Sequence, residues 1–171
     1  YRNERLIINR EVVDMKKAIE HEIKILSGLY DVSTVDINIS LNRISDFYSD
    51  GHRVKAIINN VLSNAIKYKN IKGQSKIDIE VNVMPDSCQI AFKDNGIGIR
   101  EQYLDRIFEI FYRADENAKG SGLGLYITKN MVQKLGGRIE VTSSYGEGST
   151  FTIILPNLIE SNLSAQELHI S

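Results

Sequence analysis

The sequence predicts an α+β domain, a two-layer sandwich in which a mixed, mostly antiparallel sheet carries its helices on one face. Segments with a hydrophobic period near 3.6 are interspersed with segments of period two, so helices and half-buried strands share the chain. Two of the alternating segments are joined by Met84-Pro85-Asp86-Ser87, a turn short enough to make them an antiparallel hairpin. The chain has 171 residues, 42% of them hydrophobic, which suits one domain with a real core.

The elements follow in order. Val12, Met15, Ile19, Ile23 and Leu26 predict a helix over 11–28, with Arg5 to Asn9 a candidate edge strand before it. Val35, Ile37, Ile39 and Leu41 alternate with polar residues as a strand does. Asp50 is placed to cap a helix over 51–68. Ile77, Ile79, Val81 and Val83 form the first arm of the hairpin, and Cys88, Ile90 and Phe92 the second. Residues 95 to about 120 show no strong regular pattern. A helix carrying Ile127, Met131 and Leu135 follows and stops at Gly136-Gly137; strands are expected near 138–143 and 149–155, turning at Gly146-Glu147-Gly148. Residues 1–156 therefore read as the domain and 157–171 as a tail or linker.

Composition excludes several functions. Lys and Arg total 21 against 22 Asp and Glu, so no global field recruits nucleic acid or an acidic membrane, and any polyanion must be held locally. The single cysteine, Cys88, lies in an apolar alternation and reads as core, not as a nucleophile. No apolar run reaches the roughly 18 residues of a membrane helix. The first residue, Tyr1, is not methionine, so the sequence reads as a fragment.

The chemistry begins in the helix over 51–68. Asn60, Asn64, Lys67 and Tyr68 share one side of it, while Ile57, Ile58, Val61, Leu62, Ala65 and Ile66 fill the others. Mid-helix asparagine costs roughly several tenths of a kcal/mol relative to alanine. Two on one face therefore ask for a reason, either hydrogen bonds to a neighbouring loop or a ligand. Nine of the 12 glycines fall between 96 and 148, where the backbone must bend sharply or approach something closely. Asp94-Asn95-Gly96-Ile97-Gly98-Ile99 puts a carboxylate at a strand end. It is either an ordinary turn or an acceptor for the exocyclic amine of adenine, with about a hundredfold discrimination against guanine in the second case. Gly120-Ser121-Gly122-Leu123-Gly124-Leu125 opens the next helix, whose free amides suit phosphates, although a flexible linker or tight helix packing would use the same glycines. The connection between the clusters is long enough for a lid, in which Phe108, Phe111 and Tyr112 either anchor the lid or are core, and Arg113 and Lys119 either reach phosphate oxygens or are solvated.

With these residues in view, the chain resembles the catalytic, ATP-binding domain of sensor histidine kinases of two-component systems, within the gyrase, heat-shock chaperone, histidine kinase and mismatch-repair (GHKL) ATPase superfamily. The likeness covers about residues 5 to 156. The asparagine box corresponds to Asn60 to Tyr68, the first glycine box to Asp94 to Ile99, the phenylalanine box to Phe108 to Phe111, the second glycine box to Gly120 to Leu125, and the final glycine segment to Gly146 to Phe151.

The resemblance implies Mg-ATP as the ligand. Asn64 would give an amide oxygen to Mg²⁺, with Asn60 supporting the metal or its waters, and Lys67 and Tyr68 would face phosphates and ribose. Asp94 would read adenine within a loop of Gly96, Gly98 and Ile99, and Ser149, standing where the family often has threonine, would reach the base through water. Phe108 and Phe111 would belong to the lid; Arg113, Lys119, Gly120, Gly122, Leu123, Gly124 and Leu125 would meet the phosphates. Asn64, Lys67 and Arg113 are the residues expected to act in phosphoryl transfer.

In the hydrolysing branches of the superfamily a glutamate stands one turn before the metal-binding asparagine. Asn60 occupies that place here and cannot take a proton near neutral pH. The resemblance thus implies slow hydrolysis and transfer to a histidine on a separate dimerisation domain of a parent kinase, with a response regulator receiver domain downstream. The resemblance implies a monomeric fragment, the cytoplasmic domain of a sensor protein of a kind that can be membrane-anchored. His21-Glu22-Ile23-Lys24 resembles the start of the phosphoacceptor box but aligns with the first helix of the ATP domain, so His21 is expected to be a surface residue. The alternatives are a non-catalytic ATP-binding regulatory or scaffolding module, and a serine kinase of the same superfamily.

Overall fold

The computed structural model describes residues 7–70, 73–110, 112–113 and 122–160. The chain runs β1 (Arg10–Val12), α1 (Met15–Ser27), β2 (Val35–Arg43), β3 (Tyr48–Asp50), α2 (Gly51–Lys67), β4 (Ser75–Val83), β5 (Ser87–Asp94), a 3₁₀ turn at Glu101–Tyr103, α3 (Gly124–Lys134), β6 (Arg138–Ser144) and β7 (Gly148–Pro156). The main sheet has the order β2-β4-β5-β7-β6. Its first pair, β2 with β4, is parallel, because β3 and α2 cross over between them; every other pair is antiparallel. This is the mixed, mostly antiparallel sheet expected of the sequence.

Alternation decides which face of the sheet is covered. Ile77, Ile79, Val81 and Val83 of β4 are buried, as are Cys88, Ile90 and Phe92 of β5 and Phe151, Ile153 and Leu155 of β7. Against them lies α2, whose Ile57, Ile58, Val61, Leu62, Ala65 and Ile66 are all buried, each of the larger side chains worth about 1.5–3 kcal/mol of transfer free energy. Because α2 packs between α1 and α3, it can expose only a narrow stripe, and that stripe holds the asparagines.

The N-terminal elements differ from expectation. Glu11 and Val12 do not begin α1. They belong to β1, which pairs with β3 so that Arg10 faces Asp50 and Val12 faces Tyr48. Ile7 to Asn9 form no strand, and Arg5 and Leu6 lie outside the described residues. The cause is a strand partner some forty residues away, which local periodicity does not contain. Asp14 then caps α1, its carboxylate accepting from the Lys17 amide at 3.1 Å.

Asp50 caps α2 as expected, accepting from the Arg53 amide at 3.1 Å, and it also takes the Asn9 amide at 3.2 Å and the Arg53 guanidinium. Burial pushes this carboxyl up, yet the amides and the guanidinium outweigh that and leave it below the ordinary value.

In α3 the expected period is present with a shifted phase. Thr128 and Val132 are fully buried and Leu135 nearly so, whereas Ile127 is 42% exposed. Thr128 can occupy the core because its hydroxyl donates to the Gly124 carbonyl at 2.7 Å, which hydropathy does not register.

The fold also continues past Pro156. Asn157 is buried, its Nδ2 donating to the carbonyls of Asp46 at 2.7 Å and Met84 at 3.0 Å, its Oδ1 accepting from the Tyr48 amide at 2.9 Å. Leu158 is buried beside it.

Candidate functional site

One cavity of about 510 Å³ opens where the C-terminal half of α2, the end of β5, the start of β7 and the N-terminus of α3 converge. From α2 come Asn60, Asn64 and Lys67, and from its C-cap Tyr68. Their neighbour Asn59 points elsewhere, donating from Nδ2 to Oε2 of the buried Glu22 on α1 at 2.9 Å. The side-chain amides of Asn60 and Asn64 take part in no hydrogen bond among the described residues. Consecutive asparagines thus do different work, one tying two helices together and the next facing the cavity.

Asp94, the last residue of β5, lines the opposite wall with Ser149 of β7. Its Oδ1 accepts from the amides of Gly96 at 2.9 Å and Ser149 at 3.3 Å. Burial pushes its carboxyl above the usual range, and the two amides offset only part of the rise. Oδ2 accepts from no described partner, so the carboxylate keeps an acceptor for a ligand.

Two glycines hold this corner together. Gly96 is buried under the C-terminus of α2, where a Cβ would collide with the Tyr68 carbonyl oxygen that also accepts the Ile97 amide at 3.0 Å. Gly98 has φ of 67° and lies against the Ser144 carbonyl, so both its conformation and its contact exclude a side chain.

The third wall is the start of α3. Leu123 is the N-cap and offers no side-chain hydrogen bond, so its side chain caps none of the first amides of the helix. Gly122, Gly124 and Leu125 line the cavity here, and Arg113 lines it from the connecting segment.

Of the residues singled out in the sequence, Asn60, Asn64, Lys67, Tyr68, Asp94, Gly98, Ile99, Arg113, Gly122, Gly124, Leu125 and Ser149 line this one cavity. Gly96 and Leu123 are not in the lining: Gly96 is buried and Leu123 is the N-cap of α3. Phe108 is not in the lining; it packs on the core with the Lys129 ammonium 5.3 Å from its ring centroid. Phe111, Lys119 and Gly120 lie outside the described residues. His21 is exposed as expected, with Nδ1 3.2 Å from Oε1 of Glu22. Sequence reasoning named Tyr112 but missed its fellow rim residues Arg100, Tyr103 and Tyr145. Arg100 stacks on Tyr145 at 3.9 Å, and Tyr103 meets Tyr112 at 6.3 Å with Arg106 over the latter at 4.3 Å. Arg100 and Tyr145 each flank a glycine cluster, the only local signal they carry.

A family model described as histidine kinase-, DNA gyrase B- and HSP90-like ATPase matches residues 49–159. The chain is similar to cyanobacterial phytochrome B of Nostoc sp., 35% identical over 158 residues, which is 90% of this chain and 21% of that protein. It is also similar to histidine protein kinase SaeS of Staphylococcus aureus, 33% identical over 162 residues, 92% of this chain and 44% of that one. The chain spans less than half the length of both. Among solved structures, a mycobacterial sensor histidine kinase, MprB, superposes with a TM-score of 0.72 at 26% identity, covering 86% of this chain and 97% of that one.

Proposed function

Since this chain belongs to the histidine kinase-, DNA gyrase B- and HSP90-like ATPase family, we propose that it binds Mg-ATP and passes the γ-phosphoryl group to a histidine on a separate dimerisation domain of its parent kinase, in two-component signalling. One observation carries this reading: the paired amides of α2, the carboxylate of Asp94 and the start of α3 line a single cavity.

The donor set fits magnesium. Among the described residues, Asn64 and Asn60 offer neutral, hard amide oxygens without other partners, and no cluster of three His, Cys, Asp or Glu side chains competes for a metal. Bound beside these amides, the ion would neutralise phosphate charge. Asp94 accepts from the 6-amino group of adenine, which places the phosphates toward α3. There the amides of Gly124 and Leu125 and the cations Lys67 and Arg113 hold the triphosphate and offset charge on the moving group. The imidazole nitrogen forms a bond to the γ-phosphorus as the bond to the β,γ-bridging oxygen breaks, and ADP leaves. Asn60, lacking a basic oxygen, activates no water, which keeps hydrolysis slow. The parent protein's receiver-domain partner would take the phosphoryl group onward, and this domain would lie on the cytoplasmic side of a sensor.

The test mixes the chain with a separately made dimerisation domain and labelled ATP. Acid-labile label on the partner's histidine is the expected result. Tight ATP binding with no label on the partner leaves a regulatory ATP-binding module, acid-stable label on serine points to a serine kinase, and rapid magnesium-dependent hydrolysis by the chain alone contradicts the role given to Asn60.

A further inference from the structure

Ser143, on β6 and outside the cavity lining, is where the hydrogen bonds of the Asp94 corner meet. Its Oγ accepts the Ile99 amide at 2.7 Å, lies 2.9 Å from the Gly148 carbonyl oxygen and 2.8 Å from Oγ of Ser149. A serine hydroxyl has one proton and two lone pairs, so the three contacts constrain one another. If the Ser143 proton pointed at Ser149, the oxygens of Ser143 and Gly148 would face each other at 2.9 Å with no hydrogen between them. If it points at Gly148, the Ile99 amide and the Ser149 hydroxyl both donate to Ser143, and all three contacts are hydrogen bonds. The second arrangement wins because it leaves no pair of bare oxygens in contact.

That arrangement consumes the only proton of Ser149. Ser149 lines the cavity and is 7% exposed, so what it turns toward a ligand is lone pairs. Asp94 beside it is also an acceptor, its Oδ1 already taken by two amides. We infer that Ser143 is a specificity-determining positioning residue: it locks the Ser149 hydroxyl as an acceptor, so that this end of the cavity admits a purine edge bearing a 6-amino donor and rejects one bearing a 6-oxo group. The inference rests on the Mg-ATP reading of the cavity and adds to it the device that orients one of its two recognition groups. A water between Ser149 and the base obeys the same constraint, since it must donate one hydrogen to Ser149 and so presents the other to a ring nitrogen.

The test is calorimetric titration of the full 171-residue chain with Mg-ATP and Mg-ITP, which differ at position 6 and at N1, an acceptor in ATP and an N–H in ITP. Wild type is expected to prefer ATP by about a hundredfold. Ser143→Ala frees the Ser149 proton to turn into the cavity, and the ATP/ITP ratio should drop about tenfold, with ATP weakened more than ITP. Loss of the Ile99 contact weakens both nucleotides alike and leaves the ratio untouched. Ser143→Thr keeps the hydroxyl and should retain the ratio within about twofold. Ser149→Ala should lower the ratio as Ser143→Ala does, and the double variant should lower it no further than Ser149→Ala.

A ratio unchanged in Ser143→Ala overturns the inference. Should that variant not fold, an unchanged ratio in Ser149→Ala overturns it equally. If wild type itself binds ATP and ITP with equal affinity, or binds neither, the adenine reading of the site falls and this inference with it. An ATP-selective wild type with an insensitive Ser143→Ala sinks the inference alone.

Discussion

Asp94→Asn should narrow or erase the purine preference of the cavity, because the structure leaves the new amide only one sensible orientation. Oδ1 of Asp94 accepts from the Gly96 amide at 2.9 Å and the Ser149 amide at 3.3 Å. An asparagine keeps these two hydrogen bonds only if its carbonyl oxygen takes the Oδ1 position, which turns its NH₂ toward the ligand. The opposite flip would set the NH₂ against two backbone N–H groups. A 6-amino group then meets a donor, and a 6-oxo group meets a partner.

The change removes a hydrogen bond to a charged acceptor, worth about 1.5–3 kcal/mol, so ATP affinity should fall roughly 10- to 100-fold while ITP affinity holds or rises. Calorimetric titration with both nucleotides, with and without magnesium, reads this directly. Equal weakening of ATP and ITP, or an ATP affinity within about twofold of wild type, would refute the reasoning, since a carboxylate that reads the 6-position cannot be neutralised without changing the ratio.

Other outcomes follow from the same geometry. Burial raises the Asp94 carboxyl above the ordinary 3.8, so in the ligand-free protein its contribution is stabilising below the unfolded pKa and is lost as pH rises through the folded one. Asp94→Asn escapes that loss, and urea unfolding should find the variant gaining on wild type as pH rises above the ordinary carboxyl range. Asn64→Ala should cut the magnesium-dependent part of ATP affinity by roughly tenfold and leave binding in EDTA nearly unchanged, as calorimetry under both conditions would report. Asn59→Ala leaves the buried Glu22 carboxylate without its 2.9 Å donor. It should cost about 1–3 kcal/mol, a melting-temperature drop of roughly 2–10 °C by circular dichroism, without altering the ATP/ITP ratio.

Much of this protein was legible before any fold was in view. Alternation in 35–41, 77–83, 88–92 and 149–155 marked strands that exist, Asp50 marked the start of α2, and the phase of α2 placed Asn60, Asn64, Lys67 and Tyr68 on one stripe. These are properties of short windows, in which side-chain direction follows from the residue count alone.

What the chain alone did not decide depends on which atom the fold sets against each group. Val12 joined a strand because Tyr48 lies opposite it, and Thr128 replaced Ile127 in the core because a carbonyl one turn back accepts its hydroxyl. Asn59 and Asn60 are the same residue type, separated in role only by where Glu22 sits on α1. Ser143 carried no signal at all, since its meaning is the simultaneous approach of Ile99, Gly148 and Ser149. Periodicity tells which way a side chain points; only packing brings to that point the atom that donates, accepts or excludes, and the directional, short-range nature of the hydrogen bond makes that meeting a property of the tertiary structure.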